Sequence, residues 1–181
     1  TYCHTMDVAA MSIALATAHG LDRTAVQEIG LAAILHDLGK LLIPKHIMFK
    51  SGRLSEKEFE VMKLHPELGY RILRHELKLP DPICRPALEH QEMWSGGGYP
   101  LNLKGHEIHL YSQIVKIADV YDALTSRRPY KEPIPSQKAL EIMRAEGAKG
   151  FNPELLDTFC KLSNFQEAAP VQEAPLREKA G

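Results

Sequence analysis

The stretch RTAVQEIGLAAILHDLGK, residues 23–40, decides the fold class. Ala25, Val26, Ile29, Leu31, Ala32, Ala33, Ile34 and Leu35 put apolar groups around most of a helical circumference. Asp22 reads as its N-cap, so a helix is expected from Arg23 to about Leu38, closed by Gly39. A helix apolar on nearly all sides belongs in the centre of a bundle. It ends in His36-Asp37, which sets a neutral nitrogen donor beside an anionic oxygen donor. A buried Asp needs compensation. A divalent cation and a neighbouring Lys or Arg both supply it, and the pair alone does not choose between them.

Outward from this stretch the pattern stays helical. Tyr2 to Ala18 is helix-compatible and Gly20 closes it; Leu41 to Gly52 is a connection containing Pro44. Ser55 and Glu58 form a capping box, opening a helix that runs toward His65. Pro66 suits the first turn of the next helix, through about Arg74, and Asp81-Pro82 starts another, through about Met93. Ser95 to Pro100, SGGGYP, is a loop. His109 to Ser126 is a long periodic stretch, Ser136 caps a helix that Gly147 stops, and Asn152-Pro153 opens the last one. No strand alternation and no repeat of 20–50 residues is visible. The expected fold is an all-α bundle of about seven helices, one domain over residues 1–165. Residues 166–181, with little to bury, read as a disordered tail.

Composition excludes several function classes. The 181 residues carry 22 Lys+Arg against 23 Asp+Glu, a formal charge of −1, which argues against duplex DNA as a partner. No apolar run reaches the ~18–20 residues of a membrane span, and the start lacks a signal peptide's regions. The first residue is Thr1, so the chain is expected to be a fragment or a processed piece. Cys3, Cys84 and Cys160 are odd in number and widely spaced, which suits reduced thiols of a cytoplasmic protein better than a disulfide scaffold or zinc ribbon. The 9 histidines stand out. His4, His36, His65 and His90 fall inside or at the ends of expected helices. Asp119 interrupts the apolar run Ile114 to Val120, where an ionised Asp is unusual. Several helices each giving one such ligand is a known route to a two-metal site in a bundle.

Five blocks resemble the HD-GYP family of phosphodiesterases, a branch of the HD-domain metal phosphohydrolases. They are His36-Asp37-Leu38-Gly39-Lys40-Leu41-Leu42-Ile43-Pro44, Lys63 to Gly69, His90 to Pro100, Ile117 to Leu124, and Arg128-Pro129-Tyr130-Lys131. The resemblance runs from about Tyr2 to Phe159. It implies hydrolysis of cyclic di-GMP to linear pGpG or on to GMP, with cyclic GMP-AMP as a related substrate. It implies two divalent ions, Fe or Mn first and Ni or Zn next. The first is held by positions matching His4, His36, Asp37 and Asp119, and the second by Asp37 as a bridge with His65 and His90. A third ion in some members uses a position before Thr1. Lys40 matches a lysine at the scissile phosphate, and Arg128 and Lys131 match substrate-binding positions. Two cations ~3.5–4 Å apart neutralise phosphate oxygens and lower the pKa of a water, the help a phosphodiester needs. The implied partners are diguanylate cyclase (GGDEF) domains docking on the GYP loop, where Trp94 and Tyr99 offer aromatic anchors, and an upstream sensory or receiver module.

Two positions depart from the family. Gln91 stands where a second His is usual, and an amide oxygen is a poorer ligand for a transition ion, so a weak second site is expected. Ser95 replaces an Asp ahead of the glycines. Asp122 reads as support or packing on the helix of Asp119. Neither Glu89 nor Glu92 is assignable as a replacement ligand. His19, His46, His75, His106 and His109 read as surface or packing residues. The Gln91 departure keeps open a non-catalytic cyclic di-GMP receptor or interaction module, and oxygen activation at an HD site is a third reading.

Overall fold

The computed structural model describes residues 2–127 and 132–168. Its α-helices are α1 Tyr2–Ala18, α2 Arg23–Leu35, α3 Lys45–Met48, α4 Glu56–Met62, α5 His65–Arg71, α6 Asp81–Glu89, α7 Leu110–Thr125, α8 Ser136–Glu146 and α9 Pro153–Ala168. Short 3-10 turns cover Leu38–Leu42, Gly105–Glu107 and Gly147–Lys149, and a π turn, Ile72–Glu76, prolongs α5. Among the described residues there is no strand. The fold is all-α, as the patterning predicts. The expected Asp22 cap is present, accepting from the Ala25 amide at 2.9 Å. So is the Ser55–Glu58 capping box, in which each partner's side chain accepts from the other's backbone N–H.

The centre of the bundle is α7 rather than α2. Helix α7 buries Ser112 to Val115, Ile117, Ala118 and Asp122 and meets α1, α2, α6, α8 and α9. Its Ile114 and Ile117 join Leu15, Ile29, Leu140, Met143, Leu155 and Phe159 in the main core. Helix α2 buries Ile29, Gly30, Ala32 and Ala33, yet leaves Leu31 41% and Ile34 44% exposed. Its apolar girdle is wider than the face that its neighbours cover.

Three expected boundaries move, and each move places a side chain. Helix α2 stops at Leu35, where His36 is the C-cap, instead of at about Leu38. Gly39 lies in the following 3-10 turn and serves a close approach. A Cβ there would sit 1.9 Å from the His65 carbonyl oxygen and 2.5 Å from the Gly69 nitrogen. The backbone behind Asp37 therefore touches the backbone of α5, and only glycine permits it. His65 opens α5, with Leu64 as N-cap, and does not end α4. Helix α6 ends at Glu89 rather than Met93, because the chain turns there into the glycine-rich loop.

That loop is tied down by backbone donors. The buried Glu92 carboxylate accepts from the amides of Leu101 at 2.6 Å and Leu103 at 3.1 Å. Ser95, in the place of the usual Asp, bonds through both its Oγ (3.1 Å) and its amide (3.0 Å) to the Lys149 carbonyl. A Cβ at Gly98 would lie 2.4 Å from the Cα of Glu92. Helix α9 continues through Ala168, past the expected end of the domain at 165; residues 169–181 of the expected tail lie outside the described residues. The three cysteines are free, Cys84 and Cys160 buried and Cys3 exposed. Among the described residues no helix is long and apolar enough to cross a membrane.

Candidate metal centre

Six of the expected residues meet where α1, the end of α2, the turn after it, the start of α5, the end of α6 and the middle of α7 converge. His4 Nε2 lies 3.5 Å and His36 Nε2 lies 3.9 Å from Asp119 Oδ1. His36 Nε2 is 3.5 Å from Asp37 Oδ2, and the Nε2 atoms of His65 and His90 are each 3.6 Å from Asp37 Oδ1. His4, His36 and Asp119 form one group of converging ligand atoms; His36, Asp37 and His90 form another.

The local backbone sets the orientation of three of the four rings. His36 Nδ1 donates to the Ala33 carbonyl at 2.7 Å, His65 Nδ1 to Met62 at 2.8 Å, and His90 Nδ1 to Pro86 at 2.8 Å. His4 Nδ1 meets the Asp122 carboxylate at 2.5 Å. A ring that donates through Nδ1 keeps its lone pair on Nε2, the arrangement metal-ligating histidines use. Four lone pairs therefore face one small volume. Two of them, on His65 and His90, are 3.2 Å apart. Among the described residues, the buried His36 Nε2 and Asp37 Oδ1 have no hydrogen-bond partner. Buried polar atoms are almost always satisfied, and these point into the cluster. Imidazole and carboxylate donors with unspent lone pairs fit a divalent transition ion.

The electrostatics agree. Burial pushes the His90 ring, and less strongly the His65 ring, below the usual histidine pKa, so both are neutral near pH 7. Burial by itself would raise the Asp37 carboxyl. The His36 ring, the Lys40 ammonium and the His90 ring, with the Lys40 hydrogen bond, outweigh it and hold the carboxyl well below the usual range. Lys40 Nζ lies 2.5 Å from Asp37 Oδ2, leaving Oδ1 to His65 and His90. The compensation of Asp37 by a lysine and its suitability for a cation thus coexist on different oxygens.

The remaining residues separate clearly. Asp122 holds the His4 ring, the supporting role expected of it. Glu89 is buried and spent on Arg85 (3.0 Å), the His109 amide (2.8 Å) and Ser112 Oγ (2.9 Å). Glu92 is spent on the loop, so neither glutamate replaces the missing histidine. Gln91 lines a neighbouring cleft of 590 Å³. Arg128 and Lys131 lie outside the described residues. The loop-anchoring role of Glu92 and the placing of Lys116, Phe59 and Tyr99 on the cleft escaped the sequence reading. A lysine three residues before Asp119 on an apolar helix was the available signal for the cleft. His109, read as a packing residue, caps α7 by accepting from the Tyr111 amide at 3.2 Å.

The HD domain family profile matches residues 2–155. The chain belongs to the HD domain family. This HD domain is 42% identical over 163 residues to a cyclic di-GMP phosphodiesterase of Thermotoga maritima, covering 90% of the chain and 44% of that protein. It is 38% identical over 161 residues to a cyclic di-GMP phosphodiesterase of Pseudomonas aeruginosa, covering 89% and 39%. The chain thus spans less than half the length of these relatives. An HDGYP protein from Bdellovibrio bacteriovorus has the same fold, with a TM-score of 0.73 at 22% identity, covering 89% of this chain and 51% of that one. The HD-GYP resemblance of the motifs is borne out by these matches.

Proposed function

We propose that this HD domain is a metal-dependent phosphodiesterase that hydrolyses cyclic di-GMP to pGpG, GMP or both. The observation that carries the reading is the convergence of imidazole Nε2 lone pairs on Asp37, each ring locked through Nδ1. Relatives named cyclic di-GMP phosphodiesterases support the substrate. Two ions are proposed, iron or manganese before nickel or zinc: one on His4, His36, Asp37 and Asp119, the other on Asp37, His65 and His90. When bound, such ions supply charge for phosphate oxygens and a water acidified toward neutral pH. The chain's own groups do the positioning. Asp122 fixes His4, and the carbonyls of Ala33, Met62 and Pro86 fix the other rings. Lys40 brings a cation beside Asp37, suited to the scissile phosphate. Gln91 adds no imidazole, so the His65–His90 side is the weaker site. Arg128 and Lys131 are proposed to contact substrate. The exposed loop around Ser95 and Leu101 is proposed to meet GGDEF domains, and an upstream sensory or receiver module and a cytoplasmic setting complete the reading.

The test is hydrolysis of cyclic di-GMP by protein loaded separately with iron and manganese, with metal content measured alongside. Asp37→Ala, its helicity confirmed by circular dichroism, is expected to lose at least about a hundredfold in rate together with bound metal. Undiminished turnover in Asp37→Ala, or turnover by chelated protein, would overturn the reading.

A further inference from the structure

The His4 ring differs from the other three in what holds it. His36, His65 and His90 donate through Nδ1 to backbone carbonyls, whose directions the main chain fixes. His4 Nδ1 donates instead to a side chain, the buried Asp122 carboxylate, at 2.5 Å. A carboxylate turns easily about its own bond. It can hold a ring in one orientation only when it is itself held. Ser126 supplies that hold: its Oγ donates to Asp122 Oδ1 at 2.6 Å, while Oδ2 takes the His4 ring. One bond on each oxygen fixes the plane of the carboxylate.

Ser126 breaks a local habit to do this. Thr17, Thr125, Thr158 and Ser163 each donate through the hydroxyl to the carbonyl four residues back, the ordinary local bond of a helical Ser or Thr. Ser126 also lies four residues past its partner, yet its hydroxyl goes to the Asp122 side chain. Its amide alone closes the helix end, donating to the Asp122 carbonyl at 2.8 Å. The half-buried Ser126 is the C-cap of α7, and its extended backbone (ψ 142°) turns it away from the helical path. The hydroxyl is thus spare for capping and spent on the group that carries His4. Resting on the reading of His4 as a metal ligand, the geometry points to Ser126 as a positioning residue for metal binding, locking Asp122 so that His4 keeps Nε2 toward Asp119.

Zinc, which suits imidazole and carboxylate ligands, is titrated against a competing chelator. The site followed is the one that His4→Gln abolishes. Ser126→Ala is expected to weaken it about tenfold, the low end of what outer partners of a ligand contribute. Ser126→Thr keeps the hydroxyl and should restore the affinity. Thr125→Ala removes the neighbouring hydroxyl, which bonds only backbone in this turn, and should change nothing. In zinc-loaded protein labelled with 15N-histidine, the His4 Nδ1–H resonance should shift and exchange faster with solvent in Ser126→Ala alone. Circular dichroism checks the fold, and Ser126→Gly, lacking the same hydroxyl, decides should Ser126→Ala not fold.

An affinity within about twofold of the unaltered chain would overturn the proposal. So would a loss shared by Ser126→Thr or Thr125→Ala, which would place the effect in the packing of the helix end, or a loss with the His4 resonance unmoved. Failure of the underlying reading looks different. If the unaltered chain binds no zinc, or His4→Gln abolishes no site, His4 is not a ligand and Ser126 positions nothing. If zinc binds but cyclic di-GMP is not cleaved by iron- or manganese-loaded protein, the substrate reading fails, and the affinities still decide the role of Ser126.

Discussion

The imidazole cluster and the glycine-rich loop next to it are held in place by opposite chemistry. In the cluster the side chains donate and the backbone accepts: three rings hang from carbonyls of Ala33, Met62 and Pro86. In the loop the backbone donates and a side chain accepts: the amides of Leu101 and Leu103 close on Glu92. The first arrangement leaves polar atoms unspent, on His36 and Asp37, all directed inward. The second spends what it has on its own architecture. Two buried polar assemblies a few residues apart in sequence therefore do different work, one reserved for something external and the other a brace.

The largest effect expected from breaking this contrast is on the brace. Glu92→Ala leaves two backbone donors without their acceptor and should cost about 3 kcal/mol, at roughly 1–3 kcal/mol per buried unsatisfied group. Urea unfolding measures the loss, and hydrogen exchange should show protection vanishing at Leu101 and Leu103 first; unchanged protection there would remove Glu92 as the loop's anchor. Next comes the support of the cluster. Asp122→Asn keeps the shape beside His4 but weakens its orientation and basicity, and metal affinity should fall about tenfold to a hundredfold with stability little changed. Titration with a competing chelator reads it, and equal affinity would show that Asp122 only packs.

The smallest effect is a pH dependence. His65 and His90 have depressed folded pKa values, so below the ordinary histidine pKa near 6.5 the unfolded chain binds protons that the folded chain refuses. Their share of stability is present above that value and is lost as the pH falls below it, until the folded values are reached. For metal-free protein the melting midpoint should fall as the pH drops below 6.5, with His90 contributing more than His65. Asp37, depressed in its own range, adds a similar loss only below its ordinary value of 3.8. Thermal melts between pH 7.5 and 5.5, compared with His90→Gln, test the histidine part. A midpoint flat across that interval would mean that the folded rings take up protons as readily as the unfolded chain does.

The legible part of this molecule was the part written in local patterns. Asp22 and the Ser55–Glu58 pair announce helix starts because their hydrogen bonds reach only three residues along the chain. The candidate ligands were legible through their motifs, although their meeting depends on packing among segments as distant as His4 and Asp119. Hidden were features whose partner is remote and chemically ordinary. Glu89 looks like any glutamate until the His109 amide and Ser112 arrive beside it. The central position of α7 over α2 was hidden for a related reason: apolar periodicity counts the faces that can be buried, and neighbours decide which of them are.

Gly39 and Gly69 carry a consequence for anyone who would move this centre elsewhere. With the two main chains in contact at that crossing, a Cβ at position 69 would itself lie 3.1 Å from the Gly39 nitrogen. A transplant that copied the histidines and aspartates into another helical scaffold, but left ordinary residues at those two places, would hold Asp37 and His65 apart by the thickness of a side chain. The graft would carry every ligand and still lack the pocket.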